Sequence, residues 1–113
     1  MYILNAFSAN MLASFPVSVD FEEISLERAK TLALGTISAV GHADTAAVFS
    51  SVLGVSVPVN KATVALKAGE RALLGQYSGP RLPEGATSLP EGAAIKWLLV
   101  HTVQWSWVDI SND

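Results

Sequence analysis

The sequence predicts an α/β fold with a mixed central sheet of about five strands flanked by helices. Two patterns carry this prediction. Val17, Val19 and Phe21 alternate with polar residues, which indicates a half-buried strand. Apolar residues at roughly helical spacing follow them, at Leu26, Ala29, Ala33, Ile37 and Val40. The length of 113 residues suits a single domain that spans residues 1–113.

The N-terminal part is predicted to contain a strand, a short helix, a second strand and a longer helix. Residues 2–6 form an apolar run that indicates a buried strand. A short helix is expected to begin at Ser8, whose hydroxyl can accept a hydrogen bond from the first turn, and to stop before Pro16. The longer helix opens at Ser25 and is expected to continue until Gly41 breaks it.

A third helix and a β-hairpin are predicted next along the chain. The helix is expected to begin at His42 or Asp44 and to end at Gly54. Alternating apolar residues indicate a strand within residues 55–66, and residues 71–77 form a second run after a glycine-containing turn. The two runs together predict a hairpin.

The C-terminal part is predicted to be a loop followed by the longest strand. Proline and glycine are frequent over residues 78–92, which is typical of a loop. This loop contains two Pro-Glu-Gly tripeptides, beginning at Pro83 and Pro90, which are too short to predict a structural repeat. Residues 95–108 indicate a strand, one face of which carries Trp97, Leu99, His101, Val103, Trp105 and Trp107.

Composition excludes several function classes. The formal net charge is −3 and the 7 Lys and Arg residues are dispersed, so binding to a long nucleic acid is not expected. A small anionic ligand remains compatible, because a few donors can hold a few phosphates. The chain has no cysteine, which excludes a disulfide scaffold, a thiolate zinc site and a cysteine nucleophile. With 2 isolated histidines, no metal site or other cofactor is expected.

No membrane association is predicted. The most apolar stretch, residues 43–59, is interrupted by Asp44 and Pro58 and falls short of the ~18 apolar residues of a membrane span. The first residues lack the basic region of a signal peptide. We therefore expect a soluble cytoplasmic protein.

His42 is the strongest candidate for chemistry. It lies in a turn that leads into a helix, where free N–H groups and partial positive charge attract phosphate. An imidazole there can exchange a proton near neutral pH. From the pattern alone, an ordinary turn residue is the commoner case. His101 is expected to be a packed or interface histidine rather than a catalytic one.

Four further polar residues are candidates for ligand contacts. Arg81 lies in the loop, and its planar guanidinium suits phosphate. Glu84 could orient a histidine or take part in proton transfer, although the two residues also fit a solvated surface pair. Asn5 and Ser8 could equally be a strand end and a helix cap.

Three patches in this order resemble the viral anti-CRISPR ring nucleases, a family of small proteins from archaeal viruses and bacteriophages with relatives in cellular type III CRISPR loci. The patches are Leu4-Asn5-Ala6-Phe7-Ser8 with Met11-Leu12, Gly41-His42 with Thr45, and Arg81-Leu82-Pro83-Glu84-Gly85. The resemblance extends over residues 1–108.

The resemblance implies a two-fold homodimer that cleaves cyclic tetra-adenylate, a second messenger of type III CRISPR defence, without a metal. The products would be linear adenylates with 2′,3′-cyclic phosphate ends. His42 corresponds to the catalytic general acid, and Glu84 to a catalytic partner. Substrate-binding positions correspond to Arg81, Asn5, Ser8 and, by a looser match, Lys61. The alternative is a non-catalytic protein that binds the cyclic oligoadenylate as a sponge or sensor. A third alternative is a structural or transcription-related viral protein, and the low positive charge argues against direct DNA binding.

Overall fold

The computed structural model describes residues 1–104, which form an α/β fold around one five-stranded mixed sheet. The elements in chain order are β1 (Tyr2–Leu4), a short 3-10 helix (Ala9–Met11), β2 (Val17–Ile24), α1 (Leu26–Ala33), β3 (Ile37–Ser38), α2 (Ala43–Leu53), β4 (Arg71–Ser78) and β5 (Ala94–Gln104). The predicted fold class, with a mixed sheet and flanking helices, is confirmed.

The strand order β2-β5-β4-β1-β3 gives the sheet two directions. β1 lies between β3 and β4 and pairs in parallel with both. β5 pairs antiparallel with β2 and β4. Because β1, β3 and β4 run in the same direction, their carboxyl ends meet at one end of the sheet, which we call the carboxyl edge. α2 begins at this edge, after the short connection of residues 39–42 that follows β3.

The core consists of two layers, one on each face of the sheet. Ile3 and Leu73 point to the face that carries both helices, which we call the helix face. Leu4 and Leu74, their neighbours along the strands, point to the opposite face and pack there with Val64, Leu66, Ala72 and Val100. This alternation is what the pleat of a strand requires. The second face, which we call the loop face, is also covered by Met11 and Leu12.

α1 is shorter than predicted. Its start at Ser25 is confirmed, since the Ser25 hydroxyl accepts a hydrogen bond from Arg28 N–H at 3.1 Å. The helix ends at Ala33, so the expectation that it reaches Gly41 is wrong. Residues 37 and 38 form β3 instead, and Ile37 N–H donates to the Met1 carbonyl at 2.9 Å. Ile37 is 60% exposed. Its spacing of four residues from Ala33 therefore does not mark a buried face of one continuous helix.

The predicted hairpin does not form. Residues 55–66 contain no strand, although Leu66 makes an isolated bridge with Leu12. β4 pairs with β1 and β5 instead, and residues 72–75 are buried. The alternation at Val64 and Leu66 reflects packing on the loop face rather than pairing with β4.

The short helix predicted from Ser8 to the residue before Pro16 is reduced to one 3-10 turn. The Ser8 side chain makes no capping hydrogen bond, so its predicted capping role is wrong. Beyond this turn, the backbone pairs with Leu66 instead of continuing as a helix. Leu66 N–H donates to the Met11 carbonyl at 2.7 Å, and Ala13 N–H donates to the Leu66 carbonyl at 2.8 Å.

β5 is confirmed as the longest strand of the described residues, with 11 residues that end at Gln104. The predictions for Trp105 and Trp107 lie outside the described part of the chain. None of the helices within residues 1–104 has the length and apolar character that crossing a bilayer requires.

Candidate functional site

The carboxyl edge brings three predicted site residues to neighbouring strands. Asn5 directly follows β1, His42 follows β3, and Arg81 follows β4. Because β1 lies between β3 and β4, Asn5 lies between the strands that lead to His42 and Arg81. Ligands of α/β proteins commonly bind in the crevice outside the carboxyl ends of parallel strands. The topology therefore favours this edge as the binding site.

His42 is the residue that precedes the first turn of α2. Its backbone is extended, with φ −119° and ψ 129°, and its carbonyl accepts from Ala46 N–H at 3.0 Å. The imidazole is exposed and makes no capping hydrogen bond, so it is available to a ligand. The first turn of any helix presents unpaired N–H groups and partial positive charge. The predicted bounds of α2 are confirmed, since Gly54 ends the helix with φ +71°.

A cavity of about 320 Å³ opens at the N-terminus of α2. It is lined by His42, Asp44, Thr45, Tyr77, Arg81 and Leu82. The first three belong to α2 and its cap, whereas the last three belong to β4 and the loop that follows it. The fold thus joins two of the predicted site residues, His42 and Arg81, in one cavity.

Close packing of α2 on β4 brings the two halves of the cavity together. A Cβ at Gly75 would lie 2.5 Å from Phe49 Cζ and 2.7 Å from Trp97 Cζ3, so the absence of a side chain at Gly75 lets both rings approach the strand. The rings of Phe49 and Trp97 contact each other edge to face, with centroids 5.1 Å apart. Phe49 lies about two turns beyond His42 along α2.

The first half of the loop after β4 is attached at two points. The Tyr77 hydroxyl donates to the Pro80 carbonyl at the start of the loop. Further along, Gly85 N–H donates to Asp44 Oδ1 of α2 at 2.9 Å. Arg81 lies between these two attachments, which hold its segment of backbone against the N-terminus of α2.

The two Pro-Glu-Gly segments form the same turn. Ala86 N–H donates to the Pro83 carbonyl at 3.0 Å, and Ala93 N–H donates to the Pro90 carbonyl at 3.1 Å. Gly85 and Gly92, in the third position, have φ of +80° and +81°, which is the conformation a type II turn requires there. Glu84 and Glu91 are therefore equivalent within their turns and differ in what surrounds them.

Lys61 lies beside the turn that leads to His42. A Cβ at Gly41 would lie 3.3 Å from Lys61 Cγ, so the lysine stem runs along this turn. Asn60 anchors the segment, because its N–H donates to the Val40 carbonyl at 2.8 Å and its side-chain amide donates to the Ser38 carbonyl at 2.7 Å. Lys61 is exposed and lies next to the cavity without lining it.

Asn5, Ser8 and Glu84 do not line the cavity. Asn5 is half-buried at the carboxyl edge, one residue beyond the end of β1. It is two residues after Ile3, whose side chain packs on the helix face, and side chains two apart along a strand share a face. Ser8 is exposed, and its neighbour Phe7 packs on the loop face, away from α2. Glu84 is exposed on the first Pro-Glu-Gly turn.

Asp44, Thr45, Tyr77 and Leu82 line the cavity but were not predicted as site residues. Tyr77 is the last aromatic residue before the loop. Its place near the end of β4 indicates a position at the carboxyl edge only once β4 is known to run parallel to β1. Asp44 was predicted only as a possible helix start. Its bond to Gly85 joins residues 41 positions apart, and no local pattern could indicate it.

His101 lies at the other end of the sheet. It pairs in register with Arg71, the first residue of β4. The cavity lies at the opposite end of this strand, where Tyr77 lines it. Its Nε2 is 3.2 Å from Glu22 Oε1, and Arg28 Nη1 is 3.0 Å from Glu22 Oε2. The hydrogen bonds from His101 and Arg28 lower the pKa of Glu22 below its usual 4.5. This cluster occupies a surface remote from His42.

No group of three or more His, Cys, Asp or Glu side chains within residues 1–104 could hold a metal ion. The donors at the cavity are instead an imidazole, a guanidinium, hydroxyls and backbone N–H groups. These groups suit an anionic ligand.

Fold and site together define a small α/β protein with a polar cavity at the carboxyl ends of its parallel strands. The chain belongs to the STIV B116-like family, whose model matches residues 1–96. It is 32% identical over 87 residues to Uncharacterized protein 26 of Sulfolobus islandicus filamentous virus (isolate Iceland/Hveragerdi), which covers 75% of this chain and 73% of that protein.

Among solved structures, the fold is similar to B116 of Sulfolobus turreted icosahedral virus (STIV). The TM-score is 0.74 at 26% sequence identity, and the match covers 88% of this chain and 97% of that one. Both relatives are proteins of archaeal viruses, which supports the prediction of a small viral protein.

Proposed function

We propose that the protein is a metal-independent ring nuclease that cleaves cyclic tetra-adenylate to linear adenylates with 2′,3′-cyclic phosphate ends. The observation that carries this proposal is the cavity lined by both His42 and Arg81. It combines a proton donor, a phosphate-binding guanidinium and a helix N-terminus. The three sequence patches that resemble viral anti-CRISPR ring nucleases include both residues, and this resemblance supplies the substrate.

Strand cleavage in this proposal uses a nucleophile from the substrate. A ribose 2′-hydroxyl attacks the adjacent 3′-phosphate and loses its proton to solvent, while the bond from phosphorus to the 5′-oxygen breaks. His42 donates a proton to the departing 5′-oxygen, and general-acid catalysis of this kind contributes roughly 10²–10⁴-fold. Water restores the proton on the imidazole.

Charge on the reacting phosphate would be stabilised from two sides. The Arg81 guanidinium can donate two hydrogen bonds to the phosphate oxygens. The first N–H groups of α2 supply further donors with fixed orientation. Lys61 adds a positive charge beside the turn that carries His42, and Asn5 supplies an amide at the same edge of the sheet.

A two-fold homodimer is part of the proposal. A cavity of about 320 Å³ is at the lower end of the roughly 300–1,000 Å³ of small-molecule sites, so one protomer encloses only part of a four-nucleotide ring. A two-fold dimer presents the same surface twice and can contact opposite halves of the ring equivalently. Two copies of His42 would then act on opposite phosphates.

The direct test is incubation of the purified protein with cyclic tetra-adenylate in EDTA, with chromatography and mass spectrometry of the products. We expect linear adenylates with 2′,3′-cyclic phosphate ends. Tight binding with an intact ring after long incubation at stoichiometric protein would instead identify a sponge or sensor. Sedimentation with and without the ligand tests the dimer.

A further inference from the structure

Asp44 is a carboxylate in a cavity that otherwise suits an anion. It lines the cavity with His42 and Arg81 and lies in the first turn of α2. A negative charge there opposes the binding of phosphate. Its Oδ1 accepts the Gly85 N–H at 2.9 Å, which gives this carboxylate a role other than ligand contact.

We propose that Asp44 is a positioning residue that holds the loop carrying Arg81 against the N-terminus of α2. This inference rests on the proposed function and adds a residue to the same site. The Asp44–Gly85 hydrogen bond joins α2 to the Pro83–Ala86 turn, while Tyr77 holds the start of the loop through Pro80. Arg81 is thereby fixed from both sides.

The turn itself makes the Gly85 N–H available. Within it, Ala86 N–H is bonded to the Pro83 carbonyl, so that donor is satisfied locally. The Gly85 N–H points out of the turn and meets Asp44. A hydrogen bond to an ionised acceptor is about twice as strong as a neutral one. The turn of Pro90–Ala93 has the same backbone and leads into β5, and it provides an internal reference.

Two substitutions separate the hydrogen bond from the charge. Asp44→Asn removes the charge and keeps an oxygen acceptor at the same position, whereas Asp44→Ala removes both. Because both variants are neutral, a difference between them at Gly85 N–H reports the loss of the oxygen acceptor rather than the loss of the charge. Asp44→Ser is a further variant that keeps a polar side chain in the first turn of α2. Its hydroxyl oxygen is one bond closer to the backbone than the Oδ1 that accepts from Gly85 N–H, so we expect this hydrogen bond to be lost.

Amide hydrogen exchange measured by NMR on the full chain is the first readout. We expect Gly85 N–H to exchange about tenfold faster in Asp44→Ala and Asp44→Ser than in Asp44→Asn, with Gly92 N–H, the equivalent amide of the second turn, unchanged in all three. Equal exchange of Gly85 in the Asn and Ala variants would overturn the inference. Far-UV circular dichroism verifies that each variant is folded.

Cleavage of cyclic tetra-adenylate is the second readout. We expect kcat/KM to be about tenfold lower in Asp44→Ala than in Asp44→Asn, because the released loop no longer presents Arg81. Equal kcat/KM in the two variants, despite faster exchange in one, would overturn the positioning role. If the wild-type protein does not cleave the ring, the proposed function fails, and exchange at Gly85 alone decides whether Asp44 holds the loop.

Discussion

His42 and Arg81 line one cavity although they belong to different halves of the chain. His42 precedes the first turn of α2, and Arg81 follows β4. The packing of Phe49 against Gly75 holds α2 on β4 and so brings the two residues to the same edge of the sheet. A ligand in this cavity can therefore contact both side chains.

Substitution of His42 tests the proposed general acid. His42→Ala is expected to lower the cleavage rate by roughly 10²–10⁴-fold while binding of cyclic tetra-adenylate is retained, because the imidazole acts on the leaving oxygen. Single-turnover kinetics and a binding titration measure the two effects. His101→Ala is the matched control, since His101 lies at the far end of the sheet beside Glu22. Unchanged turnover in His42→Ala would remove this residue from the mechanism.

Arg81 is expected to contribute to binding as well as to cleavage. Arg81→Ala should weaken binding of the cyclic ligand by about tenfold or more, because a charge-assisted hydrogen bond to phosphate is lost. Arg81→Lys should recover only part of the loss, since an ammonium group lacks the planar pair of donors. Arg71→Ala, at the opposite end of β4, is the control. A null effect of both Arg81 substitutions would contradict the assignment of this loop to the site.

The two equivalent turns allow the role of Glu84 to be isolated. Glu84→Gln is expected to lower cleavage by about tenfold or more, because a carboxylate that orients His42 or shares its proton would be lost. Glu91→Gln alters the equivalent position of the second turn, which lacks the bond to Asp44, and should leave cleavage at the wild-type rate. Cleavage assays on both variants test this difference. An equal decrease of the cleavage rate in the two variants would contradict a specific role of Glu84 and would indicate a general effect of loop charge.

Gly75 tests the packing that supports the cavity. Gly75→Ala would place a Cβ 2.5 Å from Phe49 Cζ, and overpacking of this kind costs about 1–3 kcal/mol of unfolding free energy. Gly35→Ala is the control, since a Cβ there meets nothing within 4 Å. Thermal unfolding of both variants measures the difference. A melting temperature of Gly75→Ala equal to that of Gly35→Ala would show that α2 can move away from β4 without cost.

Local patterns in the sequence were sufficient for part of this structure. The alternation of Val17, Val19 and Phe21 predicted β2, and the glycine at Gly54 predicted the end of α2. These features depend on neighbours a few residues away, which is the range over which hydrophobic periodicity and backbone preference act. The position of His42 at a helix start was predictable for the same reason.

Tertiary structure alone decided the remaining features. Ile37 continues a helical pattern in the sequence but pairs with Tyr2, because a parallel backbone ladder satisfies its amide group. Residues 55–66 alternate like a strand, yet β4 pairs with β1 and β5. The contact between Asp44 and Gly85 also joins distant segments. Buried backbone N–H and carbonyl groups must form hydrogen bonds, and their partners can lie far away in the sequence. Local sequence patterns therefore do not determine which segments pair.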